Sequence, residues 1–159
     1  DFELLARVLE PGVASRCPAH CEELQVALSF MSEADIRGIN AQYRDIDAAT
    51  DVLSFPLWEQ DGVVAPPADW ARLPPGDAPV CPAYVREGAG ERNLDYNSEI
   101  VLVTVHGILH LIGFDHDTPE RGREMWAAQE ALRDEYFERL SAADPMCERT
   151  SAQGGLMSE

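Results

Sequence analysis

The chain has 159 residues, 45% of them hydrophobic and 26% charged, with 29 acidic residues against 12 basic ones and a formal net charge of -17. That length suits one ordinary domain able to bury roughly 70% of the surface its unfolded form would expose, and the composition excludes wholesale disorder. Every basic residue is arginine, and so large an excess of negative charge excludes indiscriminate binding to a polyanion, because repulsion acts before local contacts form.

The chain starts at Asp1 rather than at a methionine, which leads to the expectation that an N-terminal segment has been removed, an organellar transit peptide among the candidates. Residues 2–10 place Phe2, Leu5 and Leu9 near one helical face, and Pro11 with Gly12 is expected to stop that helix. A loop continues to about Glu22. It holds Cys17, His20 and Cys21, which could begin a metal knuckle, but no second Cys/His pair follows at finger spacing, so a plain loop is expected. Together with Cys81 and Cys147 these cysteines do not read as a disulfide framework, and a reducing compartment is expected.

From Leu24 to Phe30 the pattern alternates, with Leu24, Val26, Leu28 and Phe30 on the inner face of a half-buried strand. Ser32 and Asp35 then read as a capping-box-like start to a helix that carries Ile36, Ile39 and Tyr43 inward and ends near Arg44. Val52 to Leu57 reads as a second strand, and residues 58–76 as a long Pro-, Gly- and Ala-rich loop. A short third strand at 78–81 is confined by Pro79 to an edge or a bulge. A helix over 83–92 and a turn over 93–97 come next. Ser98 is the expected N-cap of a helix that is apolar nearly all round from Ile100 to Ile112 and so belongs in the core. Its apolar run, Ile100 to Val105, is far short of the roughly 20 residues that span a bilayer, and a soluble protein is expected. Gly113 ends the helix, and Thr118 with Pro119 starts the next, whose inner face carries Met125, Leu132, Tyr136 and Leu140. The expected organisation is one domain over 1–140 and a polar tail over 141–159.

His106 and His110 are four apart on the core helix, so both rings reach the same side and one ion. A third ligand has to come from outside that helix. Gly113 lets the backbone leave sharply, and His116 can then fold back over the same face. A lone His-x-x-x-His pair is usually incidental. Three imidazoles in so apolar a segment are another matter, because a shared metal gives each of them a partner. One zinc ion per chain, held by His106, His110 and His116, is expected, and three protein ligands leave the open position that marks a catalytic site. The spacing is similar to that of metzincin proteases, which carry glutamate directly after the first histidine as general base. Here that residue is Gly107.

The string HGILHLIGFDH, His106 to His116, resembles the signature of the YbeY family of metal-dependent endoribonucleases, which act in ribosomal RNA maturation and ribosome quality control. The stretch INAQYRDIDAATDVLSFP, Ile39 to Pro56, resembles that family's other signature and includes Asn40, Tyr43, Arg44, Asp47, Thr50 and Asp51. The resemblance covers roughly residues 22–140. It implies a zincin-like α+β fold, with a small mixed β-sheet packed with helices and a buried metal-binding helix. It also implies a catalytic role for the arginine at Arg44, which physically could grip a phosphodiester and stabilise charge growing on it. Asp115 could orient a ligand histidine or cap the turn. One departure from the family pattern is Gly76-Asp77-Ala78-Pro79-Val80, where the proline is expected to weaken the sheet edge.

The activity implied by the resemblance is cleavage of single-stranded RNA, ribosomal RNA above all, in maturation of a 16S-type 3′ end. The implied partner is the small ribosomal subunit or an assembly protein, and the implied compartment is the cytoplasm, or a plastid or mitochondrion if a transit peptide was removed. The rivals are a metallohydrolase or metallopeptidase of another substrate, and a non-catalytic ribosome-assembly factor. An acidic chain meeting an acidic substrate needs a local arginine patch, for which Arg44, Arg121 and Arg123 are the candidates.

Overall fold

The computed structural model describes residues 2–14, 23–60, 63–65 and 72–143. The cysteine and histidine positions 17, 20, 21 and 147 lie outside them, as do residues 144–159 of the expected tail.

Helix α1 spans Phe2–Ala14. It runs on past Pro11, where the sequence predicted its end. Proline removes one internal hydrogen bond, but the helix is anchored upstream by Leu5, Val8 and Leu9, all buried against the other helices. The alternating segment forms β1, Glu23–Leu24, and β2, Ala27–Phe30. Val26 and Leu28 are half-buried as expected, whereas Phe30 is exposed at the end of an edge strand.

Helix α2, Glu33–Arg44, starts as predicted: the backbone N–H of Asp35 donates to the Ser32 hydroxyl at 3.2 Å. Ile36 is fully buried and Ile39 packs beside it. Tyr43 does not face inward. It is 63% exposed and lays its ring edge-on against Phe55 at 5.1 Å. Asn40 is the buried polar residue instead, and its side-chain amide donates to the Ala48 carbonyl at 2.8 Å, tying down the turn after the helix.

The predicted strand over 52–57 is reduced to β3, Phe55–Pro56, with an isolated antiparallel bridge from Val52 to Val80. The segment expected to be a loop contains β4, Glu59–Gln60, paired antiparallel with β5, Val63–Val64, and then β6, Arg72–Leu73, paired parallel with β1.

Strand β7, Gly76–Val80, overturns the edge-strand expectation. It is the central strand of a three-stranded mixed sheet, parallel to β2 and antiparallel to β3. Pro79 is accommodated because its carbonyl still serves the sheet, accepting from the Leu53 N–H at 3.0 Å, and only one ladder donor is lost. The β1–β6 and β2–β7 ladders differ in register by one residue, so the chain around Pro74 and Pro75 holds an extra residue between them. Gly76 closes this irregularity with φ +138°, and a Cβ there would lie 2.0 Å from the Phe55 carbonyl oxygen.

Helix α3 covers Pro82–Glu91. Helix α4, Tyr96–Leu111, begins three residues earlier than predicted. Its N-cap is Asp95, whose carboxylate accepts the Ser98 N–H at 2.8 Å, so Ser98 is inside the first turn. Helix α5 covers Pro119–Ala143, with the Thr118 hydroxyl accepting the Arg121 N–H at 3.3 Å. No helix among the described residues is long and apolar enough to cross a membrane.

The packing is layered. Val105, Ile108 and Leu109 of α4 form one apolar core with α1 and with Met125 and Tyr136 of α5. Across residues 52–55 the side chains alternate in direction. Val52 and Ser54 face Gly107 of α4, while Leu53 and Phe55 join Ile36 of α2 and Cys81. The segment leading into β3 is thus held between α4 and α2, and this fixes the floor of the cleft beside α4.

Candidate metal centre

Helix α4 ends in a geometry that builds the cluster. The Phe114 N–H donates to the Leu109 carbonyl at 3.0 Å and the Gly113 N–H to the His110 carbonyl at 3.1 Å, with Gly113 at φ +92°. This paired closure reverses the chain through a left-handed residue, which glycine adopts without a Cβ penalty. The reversal returns His116 over α4. Its ring stacks on His106 at 5.6 Å between centroids and meets His110 edge-on at 5.1 Å.

The three predicted ligands are therefore brought together, with one nitrogen of each within 4.8 Å of the others. Nε2 of His106 and Nε2 of His110 are 3.2 Å apart. An ion bound at about 2.0–2.1 Å with tetrahedral angles spaces its nitrogen ligands by roughly 3.3 Å, so the arrangement fits a shared metal. Behind the cluster, Nδ1 of His106 lies 2.8 Å from Oε1 of Gln129. Burial pushes His110 down to about 4, with the charges of His106 and then His116 acting in the same direction; Asp115 and the Phe114 backbone oppose the shift. A ring so averse to a proton keeps its lone pair at neutral pH, which is the form a metal requires.

The histidines line a cleft of about 390 Å³ whose other walls include Arg44, Thr50, Asp51, Ser54, Glu59, Asp115 and Arg121. Arg44 ends α2 and makes no ion pair or hydrogen bond among the described residues, so its guanidinium is uncommitted there. Arg121 is held by Asp117, with both carboxylate oxygens at 2.8 Å, and lies 3.8 Å from Asp115. Arg123, the third expected member of the patch, instead pairs with Glu120 on the exposed surface. Asp115 caps the turn by accepting the His116 N–H at 2.7 Å. Asp51 likewise serves its neighbours, accepting from Thr50 Oγ1 and the Val52 N–H.

Gly107 has a structural cause. A Cβ there would sit 2.7 Å from Cγ2 of Val52, and the Ser54 hydroxyl donates to the Gly107 carbonyl at 2.9 Å. The segment leading into β3 lies directly on this residue. Gln129 went unnoticed in the sequence, although a signal was present: it falls four residues after Met125 on the inner stripe of α5, a polar residue among apolar ones.

The fold and site define a mixed α/β protein in which three histidines, two from a core helix and one from the turn after it, can hold a metal ion beside an arginine-bearing cleft. The model of the Endoribonuclease YbeY family matches residues 4–137. Endoribonuclease YbeY of Bacillus subtilis strain 168 is 39% identical over 117 residues, 72% of this chain and 74% of the relative. That of Acetivibrio thermocellus is 36% identical over 114 residues, 68% and 70% of the two chains. The solution structure of a Thermotoga maritima protein superimposes with a TM-score of 0.56 at 29% identity, covering 96% of this chain and 92% of the other. The chain belongs to the YbeY endoribonuclease family.

Proposed function

We propose that this chain is a zinc-dependent endoribonuclease that cuts single-stranded RNA, with ribosomal RNA as its substrate and maturation of a 16S-type 3′ end as its task. The observation that carries the reading is the convergence on one cleft of His106, His110, His116 and Arg44, which has no partner among the described residues. Relatives bearing the endoribonuclease name support the reaction class. A helix with two histidines lying on a small mixed sheet, and a third histidine from the turn beyond it, supports a zincin-like assignment of the fold.

The donor set is all imidazole, which suits zinc. When bound, zinc supplies Lewis acidity toward a phosphoryl oxygen and toward the attacking water. The chain's own side chains do the positioning. The Arg44 guanidinium takes the phosphodiester through paired N–H donors and stabilises charge that grows on it in the transition state. Arg121 also lines the cleft, but its charge is offset by Asp117 and Asp115, which leaves Arg44 as the phosphate clamp.

A peptidase of the metzincin type, with its base directly after the first histidine, is disfavoured by the close contact at Gly107. A glutamate in its place would have to push Val52 off α4, so the proton acceptor of the metzincin arrangement has no room here. The formal charge of -17 supports substrate presented by a ribosomal particle or an assembly protein, in the cytoplasm or in an organelle, over capture of free RNA.

The test is a side-by-side assay of zinc-loaded protein on single-stranded RNA and on casein. Arg44→Ala should keep fold and zinc but lose about 100- to 1,000-fold in RNA cleavage. Casein cleavage with intact RNA, or wild-type turnover by Arg44→Ala, would refute the reading.

A further inference from the structure

Gln129 lies on the inner face of α5, 8% exposed, in a stripe with Met125 and Tyr136. Its Oε1 reaches 2.8 Å from Nδ1 of His106, the first histidine of α4. An amide oxygen has no hydrogen to give, so this contact is a hydrogen bond only when Nδ1 carries the proton. A neutral imidazole has one N–H, and Nε2 is then bare. Nε2 is the atom that faces His110 at 3.2 Å.

We propose that Gln129 is a positioning residue of the metal centre, holding His106 in the tautomer whose Nε2 lone pair points into the cluster. The inference rests on the metal-centre reading above and extends it to a side chain outside both signature segments. Ring nitrogens that bind metals usually have their second nitrogen fixed from behind by a carboxylate, a carbonyl or water. Here that partner is an amide carbonyl. A glutamine fixes the tautomer without adding negative charge, so the full positive charge of a bound ion faces the cleft, where an anionic phosphate would sit. The opposite tautomer would aim an N–H at the shared centre and block the ion.

The test uses the full chain, 15N-labelled and stripped of metal by a chelator, at a pH above the histidine range. Two-bond proton–nitrogen spectra should show His106 protonated at Nδ1 in the wild type. Gln129→Met, close in volume but without an acceptor, should lose that preference and bind zinc about 10- to 100-fold more weakly in calorimetric titration with zinc alone. Gln129→Glu should keep the tautomer and restore wild-type or tighter zinc binding. Folded Gln129→Met with unchanged tautomer and zinc affinity would overturn the proposal. If that variant does not fold, the wild-type spectrum decides, since His106 protonated at Nε2 overturns it equally. A wild type that shows the expected tautomer yet binds no zinc fails the metal-centre reading alone, with the Gln129 contact upheld.

Discussion

The metal-free protein should lose stability on mild acidification, and His110 sets the size of the loss. Its ordinary value of 6.5 is pushed down to about 4 in the fold, chiefly by burial. Between these two values the unfolded chain binds a proton that the folded chain refuses, so stability is fully present above the unfolded value and falls as pH drops toward 4. A full step of pH within that window is worth about 1.4 kcal/mol for a fully shielded ring, but His110 is only half-buried and solvent screens it, so moving from pH 7.5 to 5 should remove roughly 1 kcal/mol from this group. Urea unfolding of chelator-treated protein across that range measures it, and His110→Gln, which cannot titrate, should flatten the profile by the same amount. The chosen window ends above the range where carboxylates dominate. Identical pH dependence in wild type and His110→Gln would refute the assignment of the loss to this ring.

The contact at Gly107 makes a packing prediction. Gly107→Ala places a methyl 2.7 Å from the stiff, β-branched Val52 and should cost about 1–3 kcal/mol, a melting temperature lower by about 3–10 °C. An unchanged melting temperature would mean that the segment leading into β3 does not bear on α4. A third prediction concerns charge: binding of free single-stranded RNA should be weak and, with the proposed grip of Arg44 on the phosphate, should weaken further as salt rises. Binding that strengthens with salt would show long-range repulsion from the -17 chain outweighing that grip.

Local patterns were readable wherever a single segment carries the cause. The core helix follows from its all-round apolar run, the reversal after it from Gly113, and the α2 cap from Ser32 and Asp35. The meeting of His106, His110 and His116 could be foreseen because helical spacing and one glycine turn determine it. Features decided by distant partners were not legible. Pro79 argues for an edge strand by its missing donor, yet β7 is central because β2 and segment 52–56 find it from opposite sides. Asp95 outcompetes Ser98 as cap because the helix starts earlier than its apolar stretch. Gln129 reaches the site only after α5 docks on α4, and Arg123 does not line the cleft but pairs with Glu120 on the exposed surface.

Zinc titration of the metal-free chain, followed on the same samples by cleavage of single-stranded RNA, tests the central claim most directly. The wild type should bind about one zinc ion per chain and gain RNA cleavage in step with occupancy, while His110→Ala should bind zinc at least about 10-fold more weakly and stay inactive at the same zinc concentration. Full RNA cleavage by His110→Ala, or by wild type kept free of metal, would contradict the account.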